Sequence, residues 1–381
     1  MYQLMCGAPH KGFLIDGKKE IKRVAVLTFT IFPWNIPLFN RLNQHENVTF
    51  HFFFGSIRTK RRVWKINEKK LNFSYSLLRT TAINSKTEKF VSIDILRQLW
   101  RFDPDVIICY GFGLTNLQSL IYAILKNKKI VIWGEMPLQI EKERSLLLRF
   151  YRKLFARICT AGLASSSQTI DFFKSIKVRK VFRALLTVDK VNIEVVPKDK
   201  YIDGKKRFVL LYVGSIEYRK GVDLLLKTFE QVQPLVHKEI TMRIVGNTNI
   251  DPNYINELGI YRNNPAIEFI NFTDDVAKHY LEADLFLLFT RRDAHAMVVP
   301  EAMSYGLPII CSKYAGCVDD FVKENGYIVD PYNIKENATL IGQLIMNPSR
   351  LHYMANYSLR ILRENSNKQS AEEILKMIYV I

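Results

Sequence analysis

Asp293 and Glu301 carry the first chemical signal in the chain, standing eight positions apart in Arg291 to Pro308, RRDAHAMVVPEAMSYGLP. One continuous helix would separate them by about 12 Å along its axis, so the useful arrangement is a loop carrying Asp293 and a helix carrying Glu301. Met297 to Tyr305 suits that helix: Pro300 fits a first turn, where its missing N–H costs nothing, and Gly306 is a natural terminator. Free N–H groups at such a start favour a phosphate. An ordinary packed helix after a loop would satisfy the same spacing, because acidic pairs recur by chance in so charged a chain.

The elements that must position these groups alternate strand and helix twice over. Lys22 to Thr30, Val48 to Phe54, Asp105 to Tyr110 and Lys129 to Trp133 are β-rich runs separated by helical stretches such as Leu114 to Lys126. A second series holds Phe208 to Val213, Thr241 to Val245, Ile267 to Ile270, Leu285 to Phe289 and Pro308 to Cys311. The pattern predicts an α/β protein of two doubly wound domains, 1–186 and 207–362, joined by a polar linker at 187–206 and followed by a helical segment at 363–381.

A length of 381 residues, 48% hydrophobic and 24% charged, gives each domain a sizeable core. No apolar run reaches the roughly 18 residues of a membrane span, and MYQLMCGAPHKGFLI has no signal-peptide pattern, so a cytoplasmic location is expected. Cys6, Cys109, Cys159, Cys311 and Cys317 include no CxxC pair and read as reduced structural residues. The net charge of +18 attracts nucleic acid, anionic membrane or phosphorylated substrates alike. It clusters at 58–70 and at 144–158, where apolar residues recur at helical spacing among Arg144, Arg149, Arg152, Lys153 and Arg157. That is a basic amphipathic helix able to lie on anionic lipid, or a helix whose apolar stripe packs on a sheet while its basic face is solvated.

Other nucleotide and metal motifs fail on detail. Gly111-Phe112-Gly113 follows a strand, but Asn116 holds the third glycine position and no acidic residue closes the next strand, which argues against NAD. There is no GxxxxGK[ST] run. Asp103-Pro104-Asp105 precedes its strand and reads as a turn, and no His/Asp/Glu cluster has metal-ligand spacing. No recognised nucleic-acid motif accompanies the positive charge.

ADLFLLFTRRDAHAMVVPEAMSYGLPII (283–310) resembles the Glu-x7-Glu region of family 4 glycosyltransferases, retaining enzymes of the GT-B fold. RFVLLYVGSIEYRKGVDLLLKTFEQV (207–232) is similar to that family's strand, glycine turn and Lys-Gly helix start, and IEFINFTDDVAKHYLEADLFLLF (267–289) to the segment between. The resemblance is strong from about Arg207 onward. Before it, only IPLFNRL (36–42), FDPDVIICYG (102–111) and KKIVIWGE (128–135) match, in pattern. It implies two Rossmann-like domains facing across a cleft, an N-terminal acceptor domain, a C-terminal donor domain, and a last helix that crosses back to the first. It also implies hexose transfer from a nucleotide sugar to a glycan or lipid-linked acceptor, with no further cofactor. That no metal is needed is expected from the chain itself, which places no carboxylate cluster to hold a cation at the diphosphate.

Such transfer leaves a dianionic diphosphate, whose charge must be met by cations and N–H dipoles. Arg219 and Lys220, after the turn at Gly214 and Ser215 and just before Gly221, are those cations; a solvated basic cap is the plain alternative, but a helix start disfavours cations. By the family pattern Glu301 holds the ribose hydroxyls, Asp293 a hydroxyl of the donor sugar, and the N–H groups of Ala296, Met297 and Val298 the sugar and phosphates. His295 contacts the donor sugar or packs the loop. In Thr273-Asp274 a carboxylate could accept both N1–H and N2–H of guanine, whereas uracil offers one N–H. That leans toward guanine, and the run resembles the guanine-contacting segment of family 4 mannosyltransferases, which implies GDP-mannose as donor, with a UDP-sugar as the alternative.

Several positions depart from the family pattern. Asp293 is a methylene shorter than glutamate, Ala296 replaces a glycine, and Ser215 stands where an arginine is frequent. The first domain has TFTIFPWNIP (28–37) instead of a glycine-rich loop, and Gly134-Glu135 where a histidine is usual, so Glu135 is the candidate polar group facing the sugar. A catalytically silent nucleotide-sugar binder is compatible with these changes.

Overall fold

The structure, a computed structural model, describes residues 21–56, 66–84, 89–189, 191–193, 195–201, 207–247 and 250–381. Cys6, the opening segment, most of the basic block at 58–70 and parts of the 187–206 linker lie outside the described residues.

The first half runs β1 (Lys22–Thr30), α1 (Ile36–Asn43), β2 (Val48–Ser56), β3 (Tyr75–Leu77), β4 (Thr80–Asn84), β5 (Lys89–Ser92), α2 (Ile95–Phe102), β6 (Val106–Tyr110), α3 (Leu114–Leu125), β7 (Lys129–Gly134), α4 (Leu138–Lys142), α5 (Leu146–Ile158), β8 (Ala161–Ala164), α6 (Ser167–Ser175) and β9 (Val181–Arg183). Seven of these strands form a parallel sheet in the order β3-β2-β1-β6-β7-β8-β9, while β4 and β5 make a separate antiparallel hairpin. Alternation along β1 shows why the sheet is buried on both faces. Val24 and Val26 enter one apolar cluster and Ala25 and Leu27 the other.

The second half runs β10 (Arg207–Val213), α7 (Val222–Val232), β11 (Glu239–Gly246), α8 (Pro252–Glu257), β12 (Ile267–Asn271), α9 (Val276–Glu282), β13 (Leu285–Leu288), α10 (Val298–Ser304), β14 (Ile309–Ser312), α11 (Val318–Phe321), β15 (Gly326–Val329), α12 (Ile334–Ile345), α13 (Pro348–Glu364) and α14 (Asn367–Val380). Its six strands are parallel in the order β12-β11-β10-β13-β14-β15. Chain order reverses between β10 and β13, the switch point at which doubly wound folds open a ligand crevice. In the first sheet the reversal lies between β1 and β6.

Helix α14 leaves the second domain and packs on the first. Ala371, Ile374, Met377 and Ile378 join the cluster that holds Val24 and Phe39, and Lys22 Nζ donates to Ile378 O at 2.8 Å. Within the linker, Asn192 N donates to Ser304 O and Val196 is fully buried, so its described part runs along the end of α10. Asp103 ends α2 in the left-handed region at φ 44° and pairs with Lys128. The Asp103-Pro104-Asp105 segment is thus the turn its sequence indicates. Cys109, Cys159, Cys311 and Cys317 are free and buried, and burial pushes each thiol up.

Candidate active site

The loops after β10 and β13 meet at the switch point. From β10 the chain passes Gly214, makes a short 3-10 turn at Tyr218–Lys220 and reaches Gly221, which starts α7 at φ 67°. A Cβ on Gly221 would stand 2.1 Å from Phe289 O, so backbone from the β13 loop requires glycine there. Gly246 is required for the same reason, its Cβ position being 1.8 Å from Gly214 O. Arg219 O accepts from Arg291 N at 2.9 Å and Thr290 Oγ1 at 3.0 Å, which fixes the turn against the β13 loop. Arg219 and Lys220 therefore sit just before Gly221 and the start of α7, in a 3-10 turn of their own. Left-handed Gly221 separates the two elements.

Lys220 Nζ bonds Asp293 Oδ2, and Arg219 Nη1 lies 3.9 Å from the same oxygen. Arg219 also donates to Glu217 Oε1 at 2.7 Å and to Arg292 O at 3.1 Å, and Ser215 Oγ shares Glu217 Oε1 at 2.7 Å. Burial pushes the Asp293 carboxyl up, but Lys220 and then Arg219 more than reverse this and leave it below the usual range. Its other oxygen caps its own loop, accepting from His295 N at 3.3 Å and Ala296 N at 3.1 Å. This corrects one expectation: the Ala296 N–H is spent on Asp293. Among the described residues the N–H groups of Met297 and Val298, at the start of α10, have no hydrogen-bond partner.

Ala296 sits at φ 70°, the left-handed conformation in which a glycine costs least. His295 is buried and its Nε2 pairs with Leu186 O at 2.8 Å, so it packs the loop against the end of the first domain. Burial lowers its pKa. The neutral ring then donates from Nε2 and leaves Nδ1, buried without a partner, as an acceptor. Met297 inserts into the first domain's apolar cluster. The loop between Asp293 and α10 is accordingly held from both sides of the cleft.

Glu301 lies in the first turns of α10, where Tyr280 Oη donates to its Oε2 at 3.2 Å. Desolvation raises its pKa to about 7, the tyrosine bond opposing only part of that. Tyr280 is itself buried and stacked on Tyr305, with ring centroids 5.1 Å apart. Thr273 accepts from Asp275 N at 3.1 Å in the loop after β12, and Asp274 is exposed beside it. Sequence reasoning missed Glu217, which gathers Ser215 and Arg219, and Tyr280, which meets Glu301 from 21 residues away. Glu217 could have been found inside GSIEYRKG as the one acid beside the two cations.

From the first domain, Glu135 is half-buried immediately after β7. Beyond it a cavity of about 360 Å³ opens between the domains, lined by Pro137, Gln139, Glu143, Arg292, Tyr314 and Tyr332 among others. Arg292 Nη1 bonds Glu143 Oε2 at 2.6 Å across it. The domains are further joined through buried Asp320, which accepts from Ser167 N at 2.8 Å, Ser167 Oγ at 2.6 Å and Arg183 Nη2 at 2.7 Å. Among the described residues no three His, Cys, Asp or Glu side chains converge as metal ligands. The arrangement offers two cations, two open N–H groups and two carboxylates along one side of a cleft, an apparatus for an anionic, hydroxyl-bearing ligand.

Comparison with known proteins agrees with this architecture. Residues 197–360 match the family described as Glycosyl transferases group 1. An uncharacterized glycosyltransferase of Haemophilus influenzae is 30% identical over 310 residues, covering 79% of this chain and 82% of that one. The O-antigen biosynthesis glycosyltransferase WclY of Escherichia coli is 27% identical over 140 residues, 36% of this chain and 37% of its own. Among solved structures, that of Anabaena HepE in complex with UDP has a similar fold, with a TM-score of 0.75 at 14% identity over 95% of this chain and 100% of that one. The chain therefore belongs to the group 1 glycosyl transferases, and is a glycosyltransferase of the GT-B fold.

Proposed function

We propose that this glycosyltransferase moves a hexose with retention of configuration, from GDP-mannose and without a metal ion, to a glycan or lipid-linked acceptor. The observation that carries the reading is the convergence of Lys220 and Arg219 on Asp293 at the switch point, beside the open N–H groups of Met297 and Val298. When the bond from the sugar C1 to the diphosphate oxygen breaks, these cations and dipoles meet the charge that the leaving group gains. The acceptor oxygen forms its new bond to C1 on the same face and passes its proton to a phosphate oxygen of the leaving group, so no separate base is needed. Glu301, oriented by Tyr280, holds the ribose hydroxyls, and Asp293 a sugar hydroxyl. Glu135 faces the transferred sugar from the opposite domain.

Guanine preference rests on Asp274, whose carboxylate can accept two N–H groups from guanine and one from uracil. A lipid-linked acceptor would bring peripheral membrane contact through the basic surface; no described helix is long and apolar enough to cross a membrane. The test is the stereochemistry of donor turnover in EDTA, with water as acceptor, followed by proton NMR. The reading expects α-mannose to appear first from GDP-α-mannose. β-Mannose as the first product would overturn retention, and loss of turnover in EDTA restored by a divalent ion would overturn metal independence.

A further inference from the structure

Helix α5 has two apolar faces, and only one of them is covered. Tyr151, Phe155 and Ala156 turn inward, with Arg152 held by Glu141 on α4. On the opposite side Leu146, Leu147, Phe150, Leu154 and Ile158 recur at helical spacing and stand in solvent, Leu147 78% and Phe150 65% exposed. Arg149, Lys153 and Arg157 run along one edge of this uncovered stripe, and the helix contains no acidic residue. One apolar face of the helix thus packs on the sheet, and a second stands uncovered.

The stripe continues onto its neighbours. Ile124 of α3 and Ile158 of α5 line one shallow depression together with Lys128 and Lys129. Ile121 and Leu125 of α3 are also exposed, Leu125 by 73%, and α3 carries no charged residue. Beyond them Lys126 Nζ lies 3.8 Å over the ring of Trp100, itself 56% exposed on α2. The result is an apolar face across three helices, edged by Lys126, Lys129, Arg149, Lys153 and Arg157. An apolar patch of this extent marks an interaction surface, and the charge at its rim selects the partner.

We propose that this α2–α3–α5 face docks on the surface of an anionic lipid bilayer, the leucines, Phe150 and Trp100 entering the headgroup boundary while the lysines and arginines meet lipid phosphates. Glu143, at the interdomain cavity, stands three positions before Leu146, at the start of the uncovered stripe. That is at most about 10 Å of chain, so a docked bilayer brings its headgroups to the side of the cavity. An acceptor carried on a lipid would reach the cleft without leaving the membrane. The proposal rests on the lipid-linked acceptor reading above and is independent of which nucleotide sugar is the donor.

The test is co-sedimentation of the full chain with phosphatidylcholine vesicles that contain or lack phosphatidylglycerol, at low and high salt. The wild type should sediment with the anionic vesicles alone and release as salt rises. Leu147→Glu with Phe150→Glu should abolish binding. Lys153→Ala and Arg157→Ala should each weaken it about five-fold. Circular dichroism and nucleotide-sugar titration of each variant keep the result interpretable: unchanged donor binding with lost sedimentation supports the docking face. Wild type that stays in solution with anionic vesicles, or a double-Glu variant that sediments like wild type, overturns it. A wild-type dimer in sedimentation velocity that becomes monomeric in the double-Glu variant would also overturn it, by assigning the face to a second copy of the chain.

Discussion

Replacing Lys220 by alanine separates the two things its ammonium does. In the folded protein it pairs with Asp293, both side chains being nearly buried. Stranding one member of a buried pair costs roughly 3–5 kcal/mol when nothing else meets the remaining charge. Asp293 keeps the N–H groups of His295 and Ala296 and has Arg219 at 3.9 Å, so the loss of stability should be smaller, about 1–3 kcal/mol. The carboxyl's lowered pKa sets the sign: the pair stabilises the fold above about pH 4 and fades as pH falls through the depressed value. In turnover, losing one preorganised charge at the leaving diphosphate should cost about 2–4 kcal/mol, a fall in rate of roughly 30- to 900-fold. Urea unfolding reads the first term and initial rates at saturating donor the second. Adding Asp293→Asn should recover most of the stability and none of the rate. Turnover equal to wild type in Lys220→Ala would show that another group carries the leaving charge.

Four further outcomes follow from individual residues. Glu301, with a pKa of about 7 in the fold against about 4.3 in an unfolded chain, contributes stability that is complete below the lower value and lost as pH rises through 7. Glu301→Gln should flatten wild type's decline of about 2–3 kcal/mol between pH 5 and 8, read by denaturant unfolding. Ala296→Gly should raise stability by about 1 kcal/mol, seen as a small rise in Tm, because it relieves a left-handed alanine; a fall would mean that the methyl's packing outweighs the strain. Asp320→Ala should cost about 2–4 kcal/mol by calorimetry, since it removes the acceptor for Ser167 and Arg183 across the domain boundary. Asp274→Asn should weaken GDP more than UDP in titration, and equal weakening would remove the basis for guanine preference.

What could be read from the sequence was set by how local its cause is. The long strands β1, β2, β10 and β11 announce themselves through β-branched and aromatic runs, and the doubly wound architecture follows from their alternation with helices. Strand β8 does not, because AGLA is written by packing. A Cβ on Gly162 would stand 2.8 Å from the Phe173 ring, so a small residue is required where strand propensity would choose a large one. The 3-10 turn before α7 was hidden for a related reason: Gly221 reads as an ordinary helix neighbour until Phe289 O is known to press on it. In the site, residue types were legible and partnerships were not. Lys220 meets Asp293 across 73 positions and His295 meets Leu186 across 109, distances over which spacing carries no information. The loss of the Ala296 N–H to Asp293 is a property of loop conformation, which residue identity alone does not state.

The central claim is that the cleft beside Lys220, Arg219 and Asp293 is a nucleotide-sugar donor site. Isothermal titration of the wild-type chain in EDTA with GDP-mannose, UDP-glucose and UDP-N-acetylglucosamine, each repeated on Lys220→Ala, tests it most directly. Saturable binding of GDP-mannose in preference to the two UDP-sugars, weakened in the variant, is the result expected. Tighter binding of a UDP-sugar would contradict the guanine assignment alone, whereas binding of none of the three, or binding that Lys220→Ala leaves unchanged, would contradict the donor site itself.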